Sequence, residues 1–149
     1  MPEQQTEEAK ELVVYTPLGE KTEIELSISR VKQYLATKTR SGAEPSRQDI
    51  VKFMMLCRAR ELNPWVGDAF LVGYDSKDGA VFNLITAQQA LLKRAEINAQ
   101  FNGLVSGVIV TPDGRAGNLE HREGCLLLPG ETLIGGWARC WRKDREHPF

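Results

Sequence analysis

No run of apolar residues in this chain approaches the length of a membrane span, and neither sign of charge prevails. Against 19 Lys and Arg stand 20 Asp and Glu, a formal net charge of −1. Membrane insertion is set aside, and total charge lends no support to a nucleic-acid partner. Cysteine is scarce: Cys57, Cys125 and Cys140 are an odd set without close pairing, which excludes a disulfide framework and fits reduced thiols. Histidine is confined to His121 and His147, neither beside a nucleophile in a recognisable motif, so no hydrolytic triad is in view. The phosphate loop Gly-x-x-x-x-Gly-Lys-Ser/Thr is missing, which disfavours ATP-driven recombinase chemistry. Residues 1–11 lack the apolar stretch of a secretory signal; their acidic, polar character predicts a disordered leader and a cytoplasmic setting.

What remains is enough for one domain. At 149 residues and 42% hydrophobic content, the chain can bury a core without metals or crosslinks, so residues 12–149 are expected to form a single domain. Charge is unevenly spread. Acid collects at Glu3, Glu7, Glu8 and Glu11, and base from Arg30 to Arg60, at Lys93-Arg94, and from Arg139 to Arg145. Phosphate binding follows local potential, so a neutral total is compatible with a basic groove.

Two short strands, 12–16 and 22–26, are expected around Pro17-Leu18-Gly19, followed by a short helix capped by Ser29 and running to Leu35. A Thr-, Ser- and Gly-rich loop from Thr37 to Pro45 carries Lys38 and Arg40 and reads equally as a connector or a phosphate-contacting arm. Ser46 and Asp49 have capping-box spacing and open the strongest helix, Arg47 to Leu62, which Pro64 terminates. A hairpin follows, Asp68–Tyr74 and Ala80–Ile85, with its turn at Asp75–Gly79. Thr86 and Gln89 form a second capping box for a helix from Ala87 to about Ile97. Strands at Gly103–Thr111, Leu119–Leu128 and Leu133–Lys143 complete an antiparallel meander. The class is α+β: antiparallel hairpins and a meander packed with two main helices.

The last strand has the most informative pattern. Side chains alternate along a strand, so Trp137, Arg139, Trp141 and Lys143 share one face, and Ile134, Ala138 and Cys140 share the other, which reads as core. Aromatic rings stack on unpaired bases while cations neutralise the backbone. The competing reading has the tryptophans packed and the cations snorkelling to solvent. His121, Cys125, Cys140 and His147 invite a zinc site but lack a chelating pair; two buried thiols and two surface imidazoles is the simpler reading. Asp113 with Glu120-His121-Arg122 loosely resembles the paired acids of metal-dependent nucleases, although Pro112-Asp113-Gly114 is more simply a turn.

Three stretches together resemble the phage single-strand annealing proteins of the RecT/Bet (Red beta) family. They are Leu62-Asn63-Pro64-Trp65, the hairpin from Asp68 to Ile85, and Arg139-Cys140-Trp141-Arg142-Lys143-Asp144-Arg145-Glu146-His147-Pro148, in that order between about Glu44 and Phe149. The resemblance implies ATP-independent binding of single-stranded DNA and annealing of complementary strands, without catalysis or cofactor. It implies oligomers that hold DNA and the annealed duplex in a basic groove, with a phage exonuclease and a host single-strand binding protein as partners in a bacterial cytoplasm. By the same resemblance Arg139, Arg142, Lys143 and Arg145 are phosphate contacts, with Trp141 at the family's aromatic position and Lys93 and Arg94 as further choices. Family members continue beyond the point matching Phe149, through a strand and a basic helix expected to complete the groove. A metal-dependent DNA nuclease, or an inactive remnant of an annealing protein, are the alternatives.

Overall fold

A computed structural model describes residues 12–112 and 118–149. Asp113, the key acid of the nuclease reading, lies outside the described residues, as do residues 1–11. The described elements are helical and antiparallel, an α+β architecture. The chain falls into two compact units, Met1–Ala95 and Glu96–Phe149.

In the first unit, β1 (Val13–Tyr15) pairs antiparallel with β2 (Ile24–Leu26). The helix that follows starts earlier than its sequence suggests: Ser27, not Ser29, accepts the Arg30 N–H at 3.4 Å and caps α1 (Ile28–Arg30). From Val31 to Leu35 the helix widens to π geometry, its last bond running from Ala36 N–H to the Val31 carbonyl at 2.9 Å.

The main helix, α2 (Arg47–Ala59), begins with a complete capping box between Ser46 and Asp49. It ends three residues before the expected Leu62. Glu61 takes a left-handed φ of 52°, its N–H reaches the Arg58 carbonyl, and Leu62 N–H reaches back to Cys57 at 2.9 Å. That reversal is a Schellman ending, which satisfies carbonyls the helix would otherwise leave open. Ile50, Phe53, Met54 and Cys57 of α2 are buried with Leu26, Val31, Ala69, Leu71 and Phe82 in the core of this unit.

The hairpin is longer and tighter than expected: β3 (Ala69–Ser76) and β4 (Gly79–Thr86) pair in register from Ala69–Thr86 to Ser76–Gly79, leaving Lys77-Asp78 as the turn. Ala69, Leu71 and Phe82 face the core, whereas Phe70, Tyr74, Val81 and Ile85 stand exposed on the opposite face. The loop before α2 is fastened to β3. Ser41 N–H and Oγ donate to the two Asp75 carboxylate oxygens at 2.9 and 2.6 Å, Thr37 N–H donates to Leu71, and Thr39 is buried. Lys38 and Lys32 both grip Glu44, each at 2.8 Å, and together hold its carboxyl well below the usual range, at about 2. Helix α3 (Gln88–Ile97) follows.

In the second unit, β5 (Phe101–Thr111) lies between β6 (Glu120–Glu123) and β7 (Thr132–Arg142), antiparallel to both. A sequential meander would place β6 in the middle. β5 takes that position instead, pairing with β7 along most of its length on one edge and with β6 through Gly107–Val110 on the other, while β6 stops before Gly124, whose φ is 81°. Gly103, with φ 105°, sits where the β5–β7 register shifts between Phe101 and Leu104, as in a glycine bulge. Val110 and Thr111 are its buried residues among those described. Contrary to the sequence expectation, the Ile134, Ala138 and Cys140 face of β7 is not core: Ile134 is 54% exposed and Cys140 half-buried. Apart from the end of α3 this unit holds strands and turns only among its described residues, so it has no helical layer to cover that face.

The thiols divide by environment. Cys57 is buried and Cys125 exposed, so the expectation of two buried thiols among Cys125 and Cys140 does not hold. Burial pushes the Cys57 thiol from 9.0 up to about 12, and burial likewise raises the Tyr15 hydroxyl. Both groups ionise more readily in the unfolded chain, which therefore loses protons first as pH rises. Stability is expected to hold below about pH 8 and to fall above about pH 9 through Cys57 and above about pH 10 through Tyr15, by up to about 1.4 kcal/mol per pH unit for each group. Urea unfolding at pH 8 and pH 10 measures the Cys57 part; equal midpoints would show that this thiol is not protected.

Candidate nucleic-acid interface

β7 positions the aromatic and basic residues singled out in the sequence. Its pairing with β5 runs without a bulge on the β7 side from Gly135 to Cys140, so Trp137, Arg139 and Trp141 point to the same side of the sheet. Gly107 of β5 lies opposite both Trp137 of β7 and Glu123 of β6. A Cβ on Gly107 would stand 1.9 Å from the Arg122 carbonyl oxygen and 2.8 Å from the Trp137 ring. The missing side chain therefore makes room for the indole to lie across the central strand. His121 of β6 flanks it, with ring centroids 6.5 Å apart and planes tilted by 54°.

Arg139 completes the arrangement. Its guanidinium carbon sits 5.2 Å from the Trp137 ring centroid, a cation–π contact that fixes a charge on an aromatic surface. Trp137 is half-buried and its Nε1 is shielded without a hydrogen-bond partner among the described residues. Trp141, also half-buried, continues the row.

The basic residues after Trp141 are held differently from one another. Arg142 closes the strand with its fork on Asp144, Nε to Oδ1 at 2.9 Å and a terminal nitrogen to Oδ2 at 2.8 Å. This pairing lowers the Asp144 carboxyl and raises the Arg142 guanidinium relative to their ordinary values. Exposed pairs of this kind contribute only about 0–1 kcal/mol, so a phosphate can take the place of Asp144. Lys143 is exposed, its N–H donating to the Gln100 carbonyl at 2.9 Å. Arg145 lies over the Phe149 ring at 4.5 Å, and Phe149 in turn exchanges two backbone hydrogen bonds with Cys140 on the outer edge of β7.

Lys93 and Arg94 belong to the first unit, Met1–Ala95. Lys93 reaches Glu20 at 3.5 Å and Asp68 at 3.8 Å, and Arg94 donates to the Arg60 carbonyl at the end of α2. Both bind their own unit together. The Leu62-Asn63-Pro64-Trp65 stretch belongs to the same network. Asn63 Oδ1 accepts the Trp65 N–H at 3.0 Å, its Nδ2 donates to both Glu20 oxygens at 3.0 and 2.9 Å, and its N–H donates to Asp68 Oδ2 at 2.9 Å.

The matching family model is that of the RecT family, over residues 22–149. The chain belongs to the RecT family. That membership associates it with phage-type single-strand annealing and DNA recombination. Comparisons with curated proteins and with solved structures returned no match. In this RecT-family chain the sequence singled out the β7 row but not its neighbours. The place of His121 and Gly107 beside Trp137 is not legible in the sequence, because it depends on which strands pair. No group of three or more His, Cys, Asp or Glu side chains is placed to hold a metal ion among the described residues. Nor, among those residues, is any helix long and apolar enough to cross a membrane.

Proposed function

We propose that this RecT-family protein binds single-stranded DNA without ATP and anneals complementary strands, using the Trp137-Arg139-Trp141 face of β7 as a wall of its binding surface. The observation that carries this reading is the Arg139 guanidinium held on the Trp137 ring beside His121. Cations there neutralise phosphates, and the flat apolar faces accept bases in any sequence. Annealing forms no covalent bond. It requires that phosphate repulsion fall and that bases stay unpaired and reachable, which side chains of this kind accomplish without a cofactor. Arg139, Arg142, Lys143 and Arg145 take phosphates, and Trp141 extends the stacking row. The protein acts in the bacterial cytoplasm as an oligomer, with a phage exonuclease and a host single-strand binding protein as partners.

An annealing assay with complementary oligonucleotides, without ATP and at two salt concentrations, tests the reading. Replacing Arg139, Arg142, Lys143 and Arg145 together with Ala is expected to abolish annealing. It should also flatten the slope of log affinity against log salt by up to about 3, at about 0.7 for each single-strand phosphate that is no longer neutralised. Unchanged binding would remove the β7 site. Fragments released from labelled DNA in Mg²⁺, and abolished by Asp113→Ala, would replace annealing by cleavage.

A further inference from the structure

The chain has two histidines, His121 in β6 and His147 beyond the end of β7. Histidine is the side chain whose charge changes between about pH 5 and 8, so a side-chain cation gained in that window comes chiefly from these two. Strand pairing sets one of them on the face that carries the β7 row. Ile109 of β5 lies between His121 of β6 and Gly135 of β7, and Gly107 lies likewise between Glu123 and Trp137. Paired residues share a face, so His121 and Glu123 project to the same side as Trp137 and Arg139.

His121 is exposed, and its ring nitrogens meet no hydrogen-bond or ion-pair partner among the described residues. Its ring centroid lies 6.5 Å from that of Trp137, and the Arg139 guanidinium carbon lies 5.2 Å from the same indole. No more than about 12 Å therefore separates the imidazole from the guanidinium, close enough for phosphates of one strand to meet both. Few other charges share this face. β5 has no ionisable residue, β6 adds the exposed Glu123, and β7 adds Arg139. Glu120 and Arg122 alternate to the opposite face, where Arg122 is held by Glu131 at 2.6 and 2.9 Å and by Glu120 at 3.5 Å. An anion beside an imidazole favours its protonated form, and by reciprocity protonation favours the anion.

We propose that His121 is a further DNA contact of this interface, taking a backbone phosphate in its protonated form, so that single-strand binding strengthens as the solution is acidified. Binding then takes up a proton at His121. The inference rests on the single-strand reading of the β7 face and adds its regulation by pH.

The test measures the affinity of the full chain for a labelled oligo-deoxythymidylate, whose base does not titrate in this range, by fluorescence anisotropy at about pH 8 and about pH 5.5. Carboxylates as a class titrate below that window. The natural chain is expected to bind about tenfold tighter at the lower pH, with a salt slope steeper by about 0.7 for the one added phosphate contact. His121→Gln should bind at both pH values as the natural chain does at pH 8, and His121→Lys as it does at pH 5.5. His121→Phe keeps a ring beside Trp137 and should behave as His121→Gln, which separates charge from packing. His147→Gln and Glu123→Gln should keep the tenfold response. Circular dichroism at both pH values confirms that each variant is folded. A full response in His121→Gln, or its loss in His147→Gln or Glu123→Gln, would overturn the role of His121 and leave the β7 reading in place. So would natural-chain binding that does not change with pH. No binding at either pH, or binding untouched by replacing Arg139, Arg142, Lys143 and Arg145 with Ala, would remove the β7 reading and this inference with it.

Discussion

Asn63→Ala is expected to lower folding stability by about 2–3 kcal/mol, read as a shift of the urea midpoint at unchanged slope. Asn63 is 4% exposed, and its side chain does two tasks at once. It caps the short Pro64–Val66 turn through Trp65 N–H, and it donates both amide hydrogens to Glu20. Alanine leaves that N–H without its acceptor and leaves the Glu20 carboxylate, a quarter exposed, to Lys93 and water. Asn63→Asp separates the two tasks. It keeps the acceptor for Trp65 but sets a carboxylate against Glu20 and near Asp68, so it should cost at least as much at pH 7. Like charges raise the folded-state pKa of the carboxyl group, so this loss recovers as the solution is acidified to about pH 4–5, where one carboxyl takes up a proton. The alanine variant should show no such recovery. If both variants unfold at the midpoint of the natural chain, the network around Asn63 contributes nothing.

Gly107→Ala is expected to disrupt the β7 surface, with a stability loss of about 2–3 kcal/mol within its own unit. The added methyl meets the Arg122 carbonyl oxygen at 1.9 Å, a backbone atom that can move only if β6 moves. It also meets the Trp137 ring, so the indole is lifted off the central strand and the Arg139 cation–π pairing goes with it. Trp137 fluorescence should report greater exposure, and single-strand affinity should fall although no charged residue has changed. By contrast Gly135→Ala, whose methyl finds only the end of Ile109 at 4.0 Å, should leave both nearly as they were. Equal behaviour of the two variants would show that Trp137 does not depend on Gly107.

Much of the fold was legible because its signals are local. Ser46 and Asp49 capped α2 as their spacing implied, Pro64 lay past its end, and the hairpin pattern from Asp68 to Ile85 gave β3 and β4. The misreadings have physical causes. The end of α2 moved because Glu61 adopts a left-handed conformation that sequence patterns assign to Gly, and β6 was shortened by Gly124. The alternation in β7 was real, but alternation says which residues share a face and not whether anything covers it.

The amino-acid order alone determined the start of α2 at Ser46, the strand alternation and the row of Trp137, Arg139 and Trp141, since each follows from backbone periodicity and nearest-neighbour hydrogen bonding. It also contained the stretches that resemble the RecT family. Tertiary structure decided what each charge does. Lys93 and Arg94 look as basic as Arg139 in the sequence, yet one meets Glu20 and Asp68 and the other a helix-end carbonyl. It also brought Gly107 and His121 under and beside Trp137. The reason is distance along the chain: whether a cation is neutralised, or a ring supported, depends on residues tens of positions away that only strand pairing and core packing bring within reach.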